Sequence, residues 1–257
     1  MLAFPDSNET RVSPHRLTAH TDLAHQLAHV PLFKGVEPER LRRIIALARL
    51  RHIRSGEFFF NEGDAVSEFF VLTSGRVKLT QVTPAGHQVV FGLIGPGEAF
   101  GGVGAFGDPN YPVSAETVDA SAAMTWTSVT MQHVFETHTD VALNALRFVG
   151  DRLCDLQHRY REVMTERVER RVARALLRLV RDAGRRVDVG IEIDFPISRQ
   201  DIAEMTGTTL YTVSRLMSSW EDRGILNGGR QRIVLMQAHQ LVAIAEDLST
   251  SQRQSTG

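Results

Sequence analysis

The sequence predicts an α+β chain in three successive pieces: an N-terminal β-roll, a long helix, and a C-terminal winged helix-turn-helix. Three observations predict it. Between residues 50 and about 129, short apolar and β-branched runs alternate with turn signals at the spacing of an all-β barrel or roll. Leu146, Val149, Leu153, Leu156, Tyr160 and Val163 then step by three and four, the seam spacing of a helix that packs on another helix. Residues 197–216 read as two short helices about a tight turn.

Taken in order, residues 1–20 mix Asn, Ser, Thr, Pro and charge without periodicity and read as a flexible arm. Residues 21–138 form one unit. Its 21–30 and 38–47 stretches are short amphipathic helices. Ser55-Gly56, Asn61-Glu-Gly-Asp64, Ser74-Gly75, Pro84-Ala-Gly86, Gly95-Pro-Gly97 and Asp108-Pro-Asn110 separate its strands. The Gly- and Pro-rich segment 100–114 interrupts the strands, with room for a short helix and a pocket wall. The long helix occupies 139–166. Arg, Asp, Glu and Gln surround its apolar stripe, which favours a parallel dimer seam over packing on the roll alone. Helical periodicity restarts at Val168, Val172, Leu176 and Leu179, so the hinge falls near 165–167 and a second domain spans 167–248. Residues 249–257 read as a flexible tail.

In that second domain Ser198 is a good N-cap, and Ile202, Ala203 and Met205 supply the inward face of the first helix. Gly207 stands where the chain must leave that helix, in a conformation glycine adopts without steric penalty. Thr208 or Thr209 caps the next helix, which buries Val213 and Leu216. Leu210, Tyr211, Ser214 and Arg215 are left on or near its outer face, where an Arg can bond a guanine edge bidentately in the major groove. After Trp220 and the Gly224 stop, Ile225-Leu226 and Arg232-Ile-Val-Leu-Met236 read as two strands around an Asn227-Gly228-Gly229 turn, the wing.

Composition bounds the function. The 257 residues are 42 % hydrophobic, enough for a real core. No apolar run approaches the ~20 residues of a membrane span, and the N-terminus lacks a secretory pattern. A single cysteine, Cys154, excludes an internal disulfide framework and suits a reducing cytoplasm; near the seam it reads as a buried, inert thiol. Net charge is −1, but residues 167–257 hold fourteen Arg against eleven acids, which suits a DNA-facing domain attached to a more acidic one. There is no nucleophile motif, metal-spaced cluster or Walker loop, and the glycine-rich run 95–107 is not one, so an enzyme is not expected.

The order of parts resembles the bacterial CRP/FNR family of transcription regulators, whose N-terminal domain is a cyclic-nucleotide-binding jelly roll. The resemblance runs from Leu32 to Met236. It rests on Ser55-Gly56-Glu57, Glu62-Gly63-Asp64, Ser74-Gly-Arg-Val-Lys-Leu79, the cassette entry Gly97-Glu98-Ala99-Phe100-Gly101, and above all Arg199-Gln200 and Thr212-Val-Ser-Arg215. It implies a homodimer on palindromic double-stranded DNA, activation, and contact with RNA polymerase. It also implies an effector pocket at the cassette. Two departures argue against cAMP there: the ribose-binding Glu position falls at Gly102, and the phosphate-binding Arg position at Val113, before Ser114. The adenine-contacting Thr-Ser pair of the long helix aligns to Leu156-Gln157. A buried phosphate without its cation would bear most of an ion's desolvation cost. An iron–sulfur cluster needs about four thiolates, and Cys154 is alone.

By the same resemblance Arg215 reads guanine, Ser214 contacts a base or a phosphate, and Arg199, Gln200 and Thr212 contact phosphates, with Thr209 in the same set. Tyr211 replaces the Glu that many members place before the Thr-(Val/Ile)-x-Arg core, so the half-site should differ at that base pair. In this recognition helix the chain is closest to the NnrR/DNR-like branch, which responds to nitrogen oxides. That branch implies haem, for which His15, His20, His25, His29, His133, His138 and His158 are available; no CxxCH motif attaches it covalently. A regulator with no small ligand, controlled by its abundance, is the alternative.

Overall fold

The computed structural model describes residues 27–102, 109–229 and 231–247. The 1–20 arm, the 249–257 tail, most of the 21–30 stretch and His15, His20 and His25 lie outside them. After a 3₁₀ turn at Pro31–Phe33, α1 (Pro38–Ala46) begins with Pro at its first position, where no N–H is needed. The Glu37 carboxylate accepts from the Glu39 and Arg40 N–H groups, each at 3.0 Å, which holds it below the usual carboxylate range. Leu41, Ile44 and Ile45 bury the other face, and the Trp126 indole donates to the Ile44 carbonyl at 2.8 Å.

The strands then follow as β1 (Arg49–Ile53), β2 (Phe58–Phe60), β3 (Glu68–Ser74), β4 (Val77–Val82), β5 (Gln88–Ile94), β6 (Ala99–Phe100), β7 (Ser114–Thr117) and β8 (Ser121–Thr127). They make two four-stranded antiparallel sheets, β1-β8-β3-β6 and β2-β7-β4-β5. Gly75 turns the β3–β4 hairpin at φ +80°, and any Cβ there would meet Ser121 Oγ at 2.3 Å. Within the roll five aromatics interlock: Phe60 stacks on Tyr111 at 3.8 Å, Phe70 on Phe100 at 4.9 Å, and Phe59 meets Phe100 edge-on at 5.1 Å. Residues 103–108 of the expected 100–114 interruption fall outside the described residues.

Thr127 caps α2 (Ser128–Thr137), and α3 (Thr139–Thr165) follows. The first turns of α3 dock on the roll through Val141 and Ala145, and buried Asn144 donates to the carbonyls of Leu32 and Lys34 at 3.1 and 2.8 Å. Beyond them its apolar stripe leaves the core. Glu166 is extended, and α4 (Val168–Ala183) restarts in a new direction. Across this break Glu162 of α3 accepts from Arg178 of α4 at 3.0 Å, while Arg170 reaches Glu166 at 2.7 Å.

The C-terminal domain buries one face of α4 with α5 (Arg199–Thr206), α6 (Leu210–Asp222) and α7 (Ala238–Ala245) around fully buried Trp220 and Leu176. Its sheet has the order β11-β12-β10-β9, from β9 (Gly184–Val187), β10 (Gly190–Ile193), β11 (Leu226–Gly229) and β12 (Arg232–Leu235). The β9–β10 hairpin is absent from the sequence reading. The wing turn also differs: Asn227, Gly228 and Gly229 lie within β11, opposite Val234, Ile233 and Arg232. Gln231, at φ +58°, lies in the turn between the two strands instead. Gly228 is needed in the strand, because a Cβ would strike the Glu221 carboxylate at 2.2 Å.

The two domains touch. Leu93 and Val118 of the roll pack against the C-terminal core, and α5 lies on β5. Lys78 of β4 donates to Asp201 at 3.3 Å and pairs with Glu116 at 3.4 Å.

Candidate nucleic-acid interface and effector region

The helix-turn-helix is built from local bonds. The Ser198 hydroxyl accepts from the Asp201 N–H at 3.1 Å, and the Asp201 carboxylate accepts from the Ser198 N–H at 2.9 Å. This capping box satisfies two otherwise orphan donors. Burial pushes Asp201 up, but the Ser198 hydroxyl and N–H and the Lys78 ammonium outweigh it and leave the carboxyl below its ordinary range. Lys78 is the converse: burial pulls it down, and Asp201 with Glu116 more than reverses that. Gly207 ends α5 in the left-handed region at φ +61°. Thr209, rather than Thr208, caps α6 by accepting from the Thr212 N–H at 3.2 Å. The buried stripe of α6 is Val213, Met217 and Trp220, with Leu216 only partly covered. The i, i+4, i+7 spacing was there to be read, but Met217 was passed over.

The opposite face of α6 is open. Tyr211 is 77 % exposed and Arg215 is exposed, and among the described residues neither side chain has a hydrogen-bond or ion-pair partner. Ser214 and Thr212 flank them, half-buried, and Thr212 Oγ1 lies 2.9 Å from Thr209 Oγ1. Arg199 and Gln200 at the start of α5 are engaged within the domain. Arg199 donates to Glu221 at 2.7 Å and Gln200 to Glu204 at 2.8 Å. A phosphate at either position would have to compete with that carboxylate.

The cassette residues do not enclose a cavity together. Phe100 belongs to the aromatic core of the roll. A Cβ on Gly101 would meet Phe70 at 2.7 Å, and one on Gly102 would meet Phe69 at 2.8 Å. Gly97 turns the chain between β5 and β6 at φ +86°. Glu98 accepts from the Gly95 N–H at 2.7 Å and from Arg152 of α3 at 2.6 Å, so its carboxylate is spent on the helix. Val113 and Ser114 are half-buried at the start of β7, and Ser114 Oγ accepts from the Glu62 N–H at 2.9 Å. Leu156 and Gln157 lie exposed on α3. Among the described residues Phe70 and Phe69 pack against the glycines, and Val113 supplies no charge for a phosphate.

The remaining histidines are not gathered. His133 is exposed on α2, His138 separates α2 from α3, His158 is exposed on α3, and His29 precedes the 3₁₀ turn. Among the described residues no three His, Cys, Asp or Glu side chains cluster to hold a metal. Cys154, where a buried thiol was expected, is exposed in the single chain, beside the uncovered stripe and on the side of α3 away from Arg152 and Arg159, which reach the roll. Leu146, Val149, Leu153, Leu156, Tyr160 and Val163 are all 45–67 % exposed, one continuous uncovered stripe. Among the described residues no helix is long and apolar enough to cross a membrane.

A roll feeding a long helix, followed by a winged helix-turn-helix with its second helix open, defines the class of DNA-binding transcription regulators. Comparison with known proteins places it within that class. Residues 50–138 match the cyclic nucleotide-binding domain model, and residues 170–244 match the Crp-like helix-turn-helix domain model. The chain is 26 % identical over 219 residues to the cyclic AMP receptor protein of Thermus thermophilus, covering 85 % of this chain and 98 % of that one. It is 28 % identical to the nitrogen fixation regulation protein FixK of Bradyrhizobium diazoefficiens, over 76 % of this chain and 82 % of the relative. The solved structure of FixK2 from Bradyrhizobium japonicum shares the fold with TM-score 0.68 at 23 % identity, over 77 % of this chain and 96 % of that one. The chain belongs to the CRP/FNR family of transcription regulators.

Proposed function

We propose that the protein acts as a homodimer that binds palindromic DNA through α6 and activates transcription without cAMP. The observation that carries this is the pairing of two uncovered surfaces on one chain: the apolar stripe of α3 and the Tyr211/Arg215 face of α6. A two-fold seam along α3 presents two copies of α6 to successive major grooves about 34 Å apart. Arg215 reads a guanine edge, Ser214, Thr212 and Thr209 lie against the strand, and Tyr211 takes the place of a cytosine-reading carboxylate. Activation follows the name of a relative, the transcriptional activator protein anr of Pseudomonas aeruginosa, and RNA polymerase as partner follows from the family resemblance alone.

The test is selection of an operator from a randomised palindromic pool, followed by fluorescence anisotropy. Arg215→Ala should weaken the selected site by about 1–3 kcal/mol per half-site and relax one base position. Because Arg215 has no intramolecular partner, the melting temperature should not move. Unchanged affinity and unchanged base preference would remove α6 as the reader.

A further inference from the structure

A cleft of about 800 Å³ runs between the β5 edge of the roll, the inner side of α3 and the end of α4. Its size falls within the range of small-molecule sites. Its walls carry an excess of guanidinium groups. Arg152 and Arg178 have carboxylate partners, Glu98 and Glu162. Arg76, Arg147 and Arg159 have none within 4 Å among the described residues: Arg147 donates to the Asn144 amide, Arg159 to the Phe91 carbonyl, and Arg76 lies 5.1 Å over the Phe195 ring. Burial, and then the charges of Arg178 and Arg152, lower the pKa of Arg159, so an anion there would relieve a real repulsion.

The guanidinium groups are also held in place. Arg76 and Arg152 each stack on an aromatic face, Phe195 and Phe148, at 5.1 Å. Gly95 leaves Arg76 close to the backbone: a Cβ there would lie 2.6 Å from Arg76 Nη1. Asp151, Asp155 and Asp182 also line the cleft with Glu98, but six Arg and Lys34 outnumber these four carboxylates, and forks held in no ion pair suit phosphate oxygens. Leu93, Leu179 and Phe195 add an apolar wall. The cleft shares no residue with the seam stripe of α3 and meets the roll cassette at Glu98.

We infer that this interdomain cleft binds a nucleoside polyphosphate, its phosphates on Arg76, Arg147 and Arg159 and its base against the apolar wall. Because the walls come from the roll, from α3 and from α4, such a ligand ties both domains together and sets the angle at which α6 is presented. That consequence rests on the DNA-binding reading above; the binding itself does not.

The experiment is calorimetric titration of the full-length protein, without DNA, with ATP, inorganic tripolyphosphate and adenosine at low salt. ATP should bind, tripolyphosphate about tenfold more weakly, and adenosine not measurably. Arg159→Gln and the exposed-site variant Arg147→Glu should each weaken ATP at least tenfold, and Arg42→Gln, exposed on α1 and outside the cleft lining, should leave it unchanged. Arg147→Glu keeps the test valid if Arg159→Gln does not fold. Absence of ATP binding, ATP binding that both variants leave intact, or equal affinity for ATP and tripolyphosphate would overturn the assignment.

Discussion

Replacing Leu153 by Glu tests the α3 seam, and its size can be worked from exposure. Six stripe residues per copy are 45–67 % exposed in the single chain. Full burial of a side chain of this size is worth about 1.5–3 kcal/mol, so covering the exposed half contributes about 1 kcal/mol each. Both copies together gain on the order of 12 kcal/mol before association costs, which run to about 4–15 kcal/mol. The surplus is therefore a few kcal/mol. Leu153→Glu removes about 1 kcal/mol of burial from each copy and places two carboxylates in the seam, each with a desolvation cost of several kcal/mol. That exceeds the surplus. Sedimentation or light scattering at micromolar concentration should show a dimer for the parent and a monomer for the variant. The intrachain cores should melt unchanged, since Leu153 belongs to none of them. A variant that remains dimeric would refute the seam, whatever it does to DNA binding.

Two further outcomes follow from single contacts. Asp201 has its pKa lowered in the fold, so its contribution is complete above the unfolded value near pH 4 and is lost as pH falls through the folded one. Asp201→Asn should cost about 1 kcal/mol at neutral pH and flatten the acid limb of the melting curve; an acid limb identical to the parent's would show that the capping box and the Lys78 contact contribute nothing. Gly101→Ala places a Cβ 2.7 Å from Phe70 at φ +72°, and should lower stability to urea by about 1–3 kcal/mol; no change would mean that the roll core yields freely there.

Much of the second domain was legible because its signals are local. Ser198, Gly207 and Thr209 act within a turn of themselves, and Ser198-x-x-Asp201 carried the capping box in plain view. The wing was legible as two strands but not in its turn. Asn227-Gly228 has good turn chemistry, yet pairing with Val234 and Ile233 keeps it in β11, and the turn falls later, at Gln231. The β9–β10 hairpin was missed because Gly184-Arg-Arg-Val187 is polar and short; it becomes a strand by pairing with β10, which itself pairs with β12.

At the candidate DNA face, the sequence identified Arg215 and Tyr211 as outward. It did not show that Arg199 and Gln200 are held by Glu221 and Glu204, since Glu221 lies 22 residues from Arg199. At the cassette, Gly101 closes the family-like entry and Gly102 stands where the ribose-binding Glu would be, and only the packed structure reveals Phe70 and Phe69 against them.

By itself, then, the order of residues determined the elements, their caps, and which faces of α3 and α6 stay uncovered, because periodicity and capping act over one or two turns. Tertiary structure alone decided what the domains share: Lys78 on Asp201, 123 residues away, and guanidinium groups from the β3–β4 turn, α3 and α4 facing one cleft. Contacts of that range depend on how the chain turns at Glu166, and no local pattern encodes the angle of a hinge.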